Sequence, residues 1–505
     1  MAQKPAIPHP SADEIRAAAE ALHMHFDAED VQTYSALMQG MIASLNEIHH
    51  MPAPRLPVKY PRGQLSRPEG DENPFNAWFW KCRIEGAGSG PLHGKRIVIK
   101  DNICVADMPM MNGSAVYEGF VPDEDATVVT RVLDAGGTIL GKTVCENYCY
   151  SGGSHTSATG PVRNPHNPDF MTGGSSSGNA ALIIAGECDM AIGSDQGGSV
   201  RMPASFSGCV GIKPSYGLVP YTGAGPIEQT VDHLGPMAAT TRDCALLLEV
   251  IAGYDDGLDP RQTTQLAPKA YVDALDQGVA GLRIGVVEEG FGREGSHADV
   301  DACVRAAAER FKALGATVES VSVPAHSQGS MIMLGSTLDG TLSTFTEHGP
   351  GGPNPRGHTL IEAIPFYYRA QRERADLMPP TVKTVLLCAR IMRDRYGPYY
   401  SAKATNMVRD LRAAYDKVFA DFDLLLMPTT PMKAHRIPPV DAPVEEVVAR
   451  ALDMISNTAP FDVTGHPSMS VPAGMSEGLP VGLMLTGRFG EDDLVLRAGH
   501  AFETA

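Results

Sequence analysis

Short β-branched runs alternate with helix-forming segments over most of this chain, and that alternation limits the fold more than any other feature. RIVIK at 96–100 is apolar up to its closing lysine and reads as a buried strand. DEDATVVTRVLDA, from Asp123, reads as a helix stopped by Gly136 and Gly137, and TILGK follows as a strand. Asn179 to Gly186 reads as helix and DMAIG as strand; a further strand opens after Asp276, and Ala298 to Leu314 is again helical. DLLLMPTTP at 423–431 and the closing GLPVGLMLTGRFGEDDLVLRAGHAFE repeat the pattern. Such alternation predicts an α/β core with helices on both faces of a sheet.

At 505 residues the chain exceeds the usual size of one domain, so additions to that core are expected. Ser11 to Glu14 reads SADE, a capping box that opens a helix. A second helix from about Ala28 to Leu45 can gather Val31, Leu37, Met38, Met41, Ile42 and Leu45 on one face. A stretch rich in proline, glycine and charge follows, so residues 1–75 are read as a helical N-terminal unit. The core then runs from 76 to 326 and from 411 to 505. A small, mostly helical inserted subdomain at 327–410, with GSMIMLGSTLDGTLSTF and GPGGPNPRG, separates its two parts.

A net charge of −18 leaves no basic field for phosphate contacts, which argues against a nucleic-acid partner. The opening MAQKPAIPHPSADE has no apolar run behind a basic head, and no stretch of 18 or more apolar residues occurs. The expectation is a chain without leader or membrane span. Nine scattered cysteines, an odd number, fit reduced thiols in a cytoplasm.

The block from Thr172 to Gly217 carries the chemistry. GGSSSG at 173–178 and GSDQGGS at 193–199 flank a helix and a strand. Glycines there let the backbone turn sharply and approach a ligand, and consecutive N–H groups can converge on developing negative charge. A serine beside such a nest is a candidate nucleophile that needs a base. The blander alternative is a loop or a phosphate-binding turn, although G-x-x-x-x-G-K-[ST], G-x-G-x-x-G and G-x-S-x-G are all missing. Lys100, at the end of its strand run, is a candidate base: a lysine withdrawn from water can act as a neutral amine. A surface lysine at a strand end is the alternative.

KDNI at 100–103, GGSSSG, GSDQGGSVRMPA at 193–204 and GIKPSYGLVP at 211–220 resemble the defining stretch of the amidase signature family. LGKT at 140–143, DHLGPM at 232–237 and GLPVGLML agree with it. CENYCYSGGSHTSATGPVRNPHNP and SDQGG are similar, more narrowly, to bacterial amidases associated with nitrile degradation. The resemblance extends over nearly all of the chain beyond residue 85. It implies a large mixed sheet covered by helices, no cofactor and no metal, and a small-molecule amide as substrate. It also implies a catalytic set of Lys100, Ser175 joined by a cis peptide, and Ser199 as nucleophile. The N–H groups of Gln196, Gly197, Gly198 and Ser199 match the family's oxyanion hole. A homodimer is expected on the same ground.

Other polar residues read differently. Ser176 and Ser177 are loop hydrogen bonders, and Asp195 with Arg201 is expected to brace the loop. Cys145, Cys149 and His155 have a partial zinc-like spacing without a second ligand pair, and Cys145 with His155 is a weaker nucleophile pair. Asp232, His233 and His466 are read as structural. Glu146 to Ser154, Pro226 to Thr230, and Phe345, Phe366, Tyr367 and Tyr368 are expected to line an apolar pocket, with ordinary core as the alternative for the aromatics. Three other readings compete with a simple amidase: the glutaminase-like component of an amidotransferase, a catalytically silent scaffold, and a membrane-associated fatty amide hydrolase. Anilides, carbamates, hydrazides and esters offer the same site alternative substrates.

Overall fold

A computed structural model describes residues 6–264, 266–349 and 356–505. Most of the glycine- and proline-rich stretch GPGGPNPRG lies outside the described residues. By compactness the chain forms two units, Met1–Arg55 and Leu56–Ala505.

The first unit holds helices Ala12–Ala21 and Ala28–His50. Ser11 and Glu14 form the expected capping box, and Asp27 and Asp30 form a second. Ile15, Ala19 and Val31 are buried, whereas Leu37, Met41 and Leu45 of the expected apolar face are exposed. Two helices alone can cover only one narrow stripe of each other.

Among the described residues, the second unit is built on an 11-stranded sheet. Its strands are β1 (Trp78–Glu85), β2 (Arg96–Lys100), β3 (Thr138–Thr143), β6 (Met190–Asp195), β7 (Val210–Lys213), β8 (His233–Ala238), β9 (Arg283–Val287), β10 (Thr317–Val321), β11 (Leu424–Pro428), β12 (Ser468–Ser476) and β13 (Leu479–Gly487). A separate small hairpin pairs β4 (Arg163–Asn164) with β5 (Asn167–Met171). The large sheet runs β1-β3-β2-β6-β8-β7-β12-β13-β11-β9-β10. Strands β3, β2 and β6 are parallel, as are β11, β9 and β10, and antiparallel pairs link the two groups. The sheet is thus mixed.

Burial on both sides explains why RIVIK lacks polar alternation. Ile97 and Ile99 join the core formed with Val128 and Val132 of helix Thr127–Asp134 and Leu247 and Ile251 of helix Thr241–Ile251. Val98, between them, faces the other way and packs with Ala180 and Ala181 of helix Ser177–Ile184. Helices therefore cover both faces. Between 329 and 419 the described residues include helices Gly329–Ser343, Ala363–Arg374, Pro380–Tyr396 and Tyr399–Phe419.

Candidate active site

The neighbouring strands β2 and β6 are parallel, so their C-terminal ends bring KDNI and GSDQGGS side by side. Open α/β sheets bind ligands at such strand ends. Lys100, wholly buried, donates from Nζ to Ser175 Oγ at 2.6 Å and to Ser194 Oγ at 2.9 Å. Asp101 turns away to a buried ion pair with Lys142 at 3.2 Å, and its other oxygen accepts the Met111 amide. Asn102 donates to Ser194 Oγ at 3.1 Å and to the Gly225 carbonyl. Asp101 and Asn102 thereby tie the segments on either side of the lysine.

Ser175 follows a cis peptide from Gly174. Its carbonyl accepts the Glu146 amide, which ties the serine loop to the segment after β3. Ser176 donates from its amide to the Ser199 carbonyl at 3.2 Å, and Ser177 donates its hydroxyl to the Val144 carbonyl at 3.3 Å. Both are loop hydrogen bonders, as expected. Ser199 lies where the two loops meet, on the wall of a cavity of about 440 Å³. Among the described residues no hydrogen bond joins its hydroxyl to Ser175.

The Asp195 and Arg201 pair is a buried bracket. Arg201 donates through Nε and one terminal nitrogen to the two Asp195 oxygens, at 3.0 and 2.9 Å, and it also pairs with Asp462 and bonds the Thr458 carbonyl. Burial alone would raise the Asp195 carboxyl; the Arg201 charge outweighs it and holds the group well below the usual carboxylate range. Asp462, buried beside Asp195, goes the other way and is raised. The ionised Asp195 then collects amides: Gly198 at 2.6 Å, Val200 at 3.0 Å and Arg201 at 3.3 Å.

One amide of the expected oxyanion hole has a competing acceptor. The Gly198 N–H points at a carboxylate, a stronger acceptor than a substrate carbonyl, so it is already engaged. The amides of Gln196, Gly197 and Ser199 have no acceptor among the described residues. Gly198 has φ of 128° and a Cβ there would collide with the Thr458 hydroxyl, so only glycine makes this turn. Thr458 itself donates to the Gly197 carbonyl at 2.6 Å, closing the loop from the far end of the chain.

The cavity wall is mainly apolar: Met202, Ile227, Val231, Met333, Leu334 and Ile455 face it, and Arg293 and Asp453 bring charge. Cys149 to Gly152 and Ile227 were expected there, and they line it. Phe345 and Tyr367 do not. They pack with Tyr117 and Tyr148 in an aromatic core, centroids 4.5 Å apart for Tyr117–Tyr367 and 4.8 Å for Tyr148–Phe345. Their place on the wall is taken by Met331, Met333 and Leu334 of helix Gly329–Ser343. His155 leaves the cysteines and bonds the Val447 carbonyl. His233 bonds the Val231 carbonyl, and His466 bonds Thr464 and Asp416.

The family profile named Amidase matches residues 80–496. An enantioselective amidase of Rhodococcus rhodochrous is 45% identical over 448 residues, covering 88% of this chain and 86% of that protein. One component of the glutamyl-tRNA(Gln) amidotransferase of Methanosarcina acetivorans is 38% identical, with 84% and 86% covered. The crystal structure of the corresponding component from Thermotoga maritima superposes with a TM-score of 0.66 at 29% identity, over 83% of this chain and 84% of that one. With the loops, the buried lysine and the sheet arranged in this way, the chain is a serine hydrolase of the amidase signature family.

Proposed function

We propose that the enzyme hydrolyses carboxylic acid amides with apolar acyl groups, releasing ammonia or an amine, through an acyl-enzyme on Ser199. The observation that carries this reading is the 2.6 Å contact between Lys100 Nζ and Ser175 Oγ, with Ser199 on the wall of an apolar cavity. Lys100, as the amine, takes a proton from Ser175, which takes one from Ser199 as its oxygen attacks the carbonyl. The Ser175–Ser199 step closes on substrate binding, as catalytic hydrogen bonds commonly tighten only in the complex. The amides of Gln196, Gly197 and Ser199 receive the developing oxyanion. Protonation of the departing nitrogen through the same relay is required, because an amide anion is too poor a leaving group. Water then attacks the acyl-enzyme by the same route.

The resemblance to nitrile-pathway amidases supports amides formed by nitrile hydration as the natural substrates, handled by a homodimer. The nine unpaired cysteines fit a reducing cytoplasm.

Ammonia or amine release from benzamide, short aliphatic amides, glutamine, an anilide and an aryl carbamate tests the reading, with Ser199→Ala alongside. Turnover of the simple amides, lost in the variant, supports it. Release from glutamine alone would move the enzyme to the amidotransferase class. Preference for the anilide or carbamate would keep the mechanism and change the substrate.

A further inference from the structure

Behind Lys100 a row of buried polar side chains leads away from the cavity, and the hydrolytic cycle described above uses none of them. Lys100 Nζ lies 2.6 Å from Ser175 Oγ, 2.9 Å from Ser194 Oγ and 3.3 Å from the Ser194 carbonyl oxygen. Ser194 Oγ meets Gln196 Oε1 at 3.4 Å, and Gln196 Nε2 meets Tyr221 Oη at 2.7 Å. Tyr221 Oη in turn lies 2.9 Å from the Gly225 carbonyl oxygen. Ser194, Gln196 and Tyr221 are all buried. The Tyr221 ring is clamped as well. Arg261 lies over it, 4.7 Å from the centroid, and pairs at 2.7 Å with Asp259, which accepts the Tyr221 amide at 2.9 Å.

The Gly225 carbonyl sets the direction of this row. A carbonyl only accepts, so Tyr221 donates its one hydroxyl hydrogen there and accepts from Gln196. The Gln196 amide nitrogen therefore faces Tyr221, and its oxygen faces Ser194 and takes the Ser194 hydroxyl hydrogen. Asn102 Nδ2, which only donates, reaches Ser194 Oγ at 3.1 Å and Tyr221 Oη at 3.3 Å and suits the same direction. With its hydrogen committed, Ser194 Oγ accepts from Lys100, and so does the Ser194 carbonyl. A neutral amine has two N–H bonds and one lone pair. Ser194 occupies both N–H bonds, and the lone pair is left facing Ser175. The Cys149 thiol, on the cavity wall, donates elsewhere, to Asn112 Oδ1 at 3.2 Å.

We propose that Tyr221 and Ser194 are positioning residues: the one-way chain Tyr221–Gln196–Ser194 aims the lone pair of Lys100 at Ser175 and holds the nitrogen in place through the cycle. The Ser175 proton passes to that lone pair as Ser175 takes the proton of Ser199. The ammonium so formed donates its new N–H to Ser175 Oγ and keeps both bonds to Ser194. When the proton returns for the leaving nitrogen, the lone pair reappears in the same direction. The lysine therefore changes charge without turning, which is the preorganisation a relay needs. Among the described residues that line the substrate cavity, neither Tyr221 nor Ser194 appears, so the chain acts through Lys100 and not on the substrate. The inference rests on the proposed Lys100–Ser175–Ser199 relay.

The test is a double-mutant cycle on the full-length enzyme, read by benzamide turnover and, independently, by the rate at which diisopropyl fluorophosphate labels Ser199. Tyr221→Phe keeps the ring and removes only the hydroxyl. It is expected to lower kcat and the labelling rate about 10-fold, with KM unchanged. Ser194→Ala should lower both rates about 10²-fold, and Ser194→Thr, which keeps a hydroxyl, should recover most of that loss. Because Tyr221 acts through Ser194, the double variant should be no slower than Ser194→Ala alone. Losses that multiply would mean separate structural effects and would overturn the proposal. So would unchanged rates in Tyr221→Phe, and that result would leave the amidase reading standing. A wild-type enzyme that neither turns over any amide nor is labelled on Ser199 would overturn the relay and the proposal together. Should Ser194→Ala fail to fold, Tyr221→Phe against Ser194→Thr decides: a slow first variant with unchanged KM and an active second support the chain, and any other pattern overturns it.

Discussion

Lys100 Nζ and Ser175 Oγ lie 2.6 Å apart although 75 positions separate them in the chain. Strand β2 delivers the lysine, and the serine sits on the loop that leads into helix Ser177–Ile184. Ser194, at the end of the adjacent strand β6, accepts a hydrogen bond from the same Lys100 nitrogen. The lysine is thus fixed by the ends of two adjacent strands, and the buried serine loop meets it there, a rigid setting for the proposed proton relay.

Removing the oxygen of the proposed relay should therefore damage chemistry more than binding. Ser175→Ala is expected to lower kcat by about 10²–10⁴-fold with little change in KM, since the loss is confined to proton transfer. Steady-state kinetics on benzamide measure this, with circular dichroism as the check on folding. An unchanged kcat would exclude Ser175 from the relay.

Arg201 is expected to matter first for stability. Arg201→Met leaves Asp195 and Asp462 buried without their shared cation, and breaking a buried pair of this kind costs about 3–5 kcal/mol. Denaturant unfolding of the variant should register that loss. A shift within experimental error of zero would mean that the bracket does not hold the loop.

The identity of the cavity wall is open to a size test at Met333, whose methyl carbon lies 3.3 Å from the position a Gly197 Cβ would occupy. Met333→Trp should cut kcat/KM for benzamide by about 10-fold or more, given about 1–3 kcal/mol for small steric changes in a pocket, and spare acetamide. Equal losses on both amides would point to a distorted loop and not to acyl selection.

His326 gives a pH signature. Asn457 donates its amide to the carbonyls of Gly290 and Pro428, so its Oδ1 accepts from His326 Nε2, and His326 Nδ1 accepts from Tyr415. Burial pushes this imidazole down to about 4, against the smaller opposing effect of Asn457. The unfolded state then binds the extra proton first as pH falls. Stability from this group is complete above about 6.5 and is lost as pH drops through about 4, at up to about 1.4 kcal/mol per pH unit. Unfolding free energies measured from pH 7 to 4 should fall less steeply for His326→Gln than for wild type. Parallel curves would remove His326 from the acid response.

What can be read from sequence follows from which contacts are local. The apolar run before Lys100 and the glycines around Ser199 announce a strand and a nest within a few residues. Local signals also mark the helices starting near Ala12 and Ala298. Thr458 and Asp462, which complete the Gly197 and Arg201 contacts, come from about 260 positions away, and nothing in their own neighbourhood signals it. The cavity wall differs from its sequence reading for a similar reason. Aromatics at 345 and 367 and methionines at 331 and 333 are equally apolar, and only the packing of Phe345 and Tyr367 against Tyr117 and Tyr148 decides which group faces the cavity. Composition also could not reveal that Asp195 would claim the Gly198 amide.

The most direct test of the account is to trap the acyl-enzyme. Benzamide turnover quenched in acid within the steady state, followed by peptide mass mapping, should find a benzoyl group on the peptide containing Ser199 and none in Ser199→Ala. Acylation of Ser175 or Cys149 instead, or ammonia release with no acylated peptide at all, would contradict the assignment of Ser199 as the nucleophile.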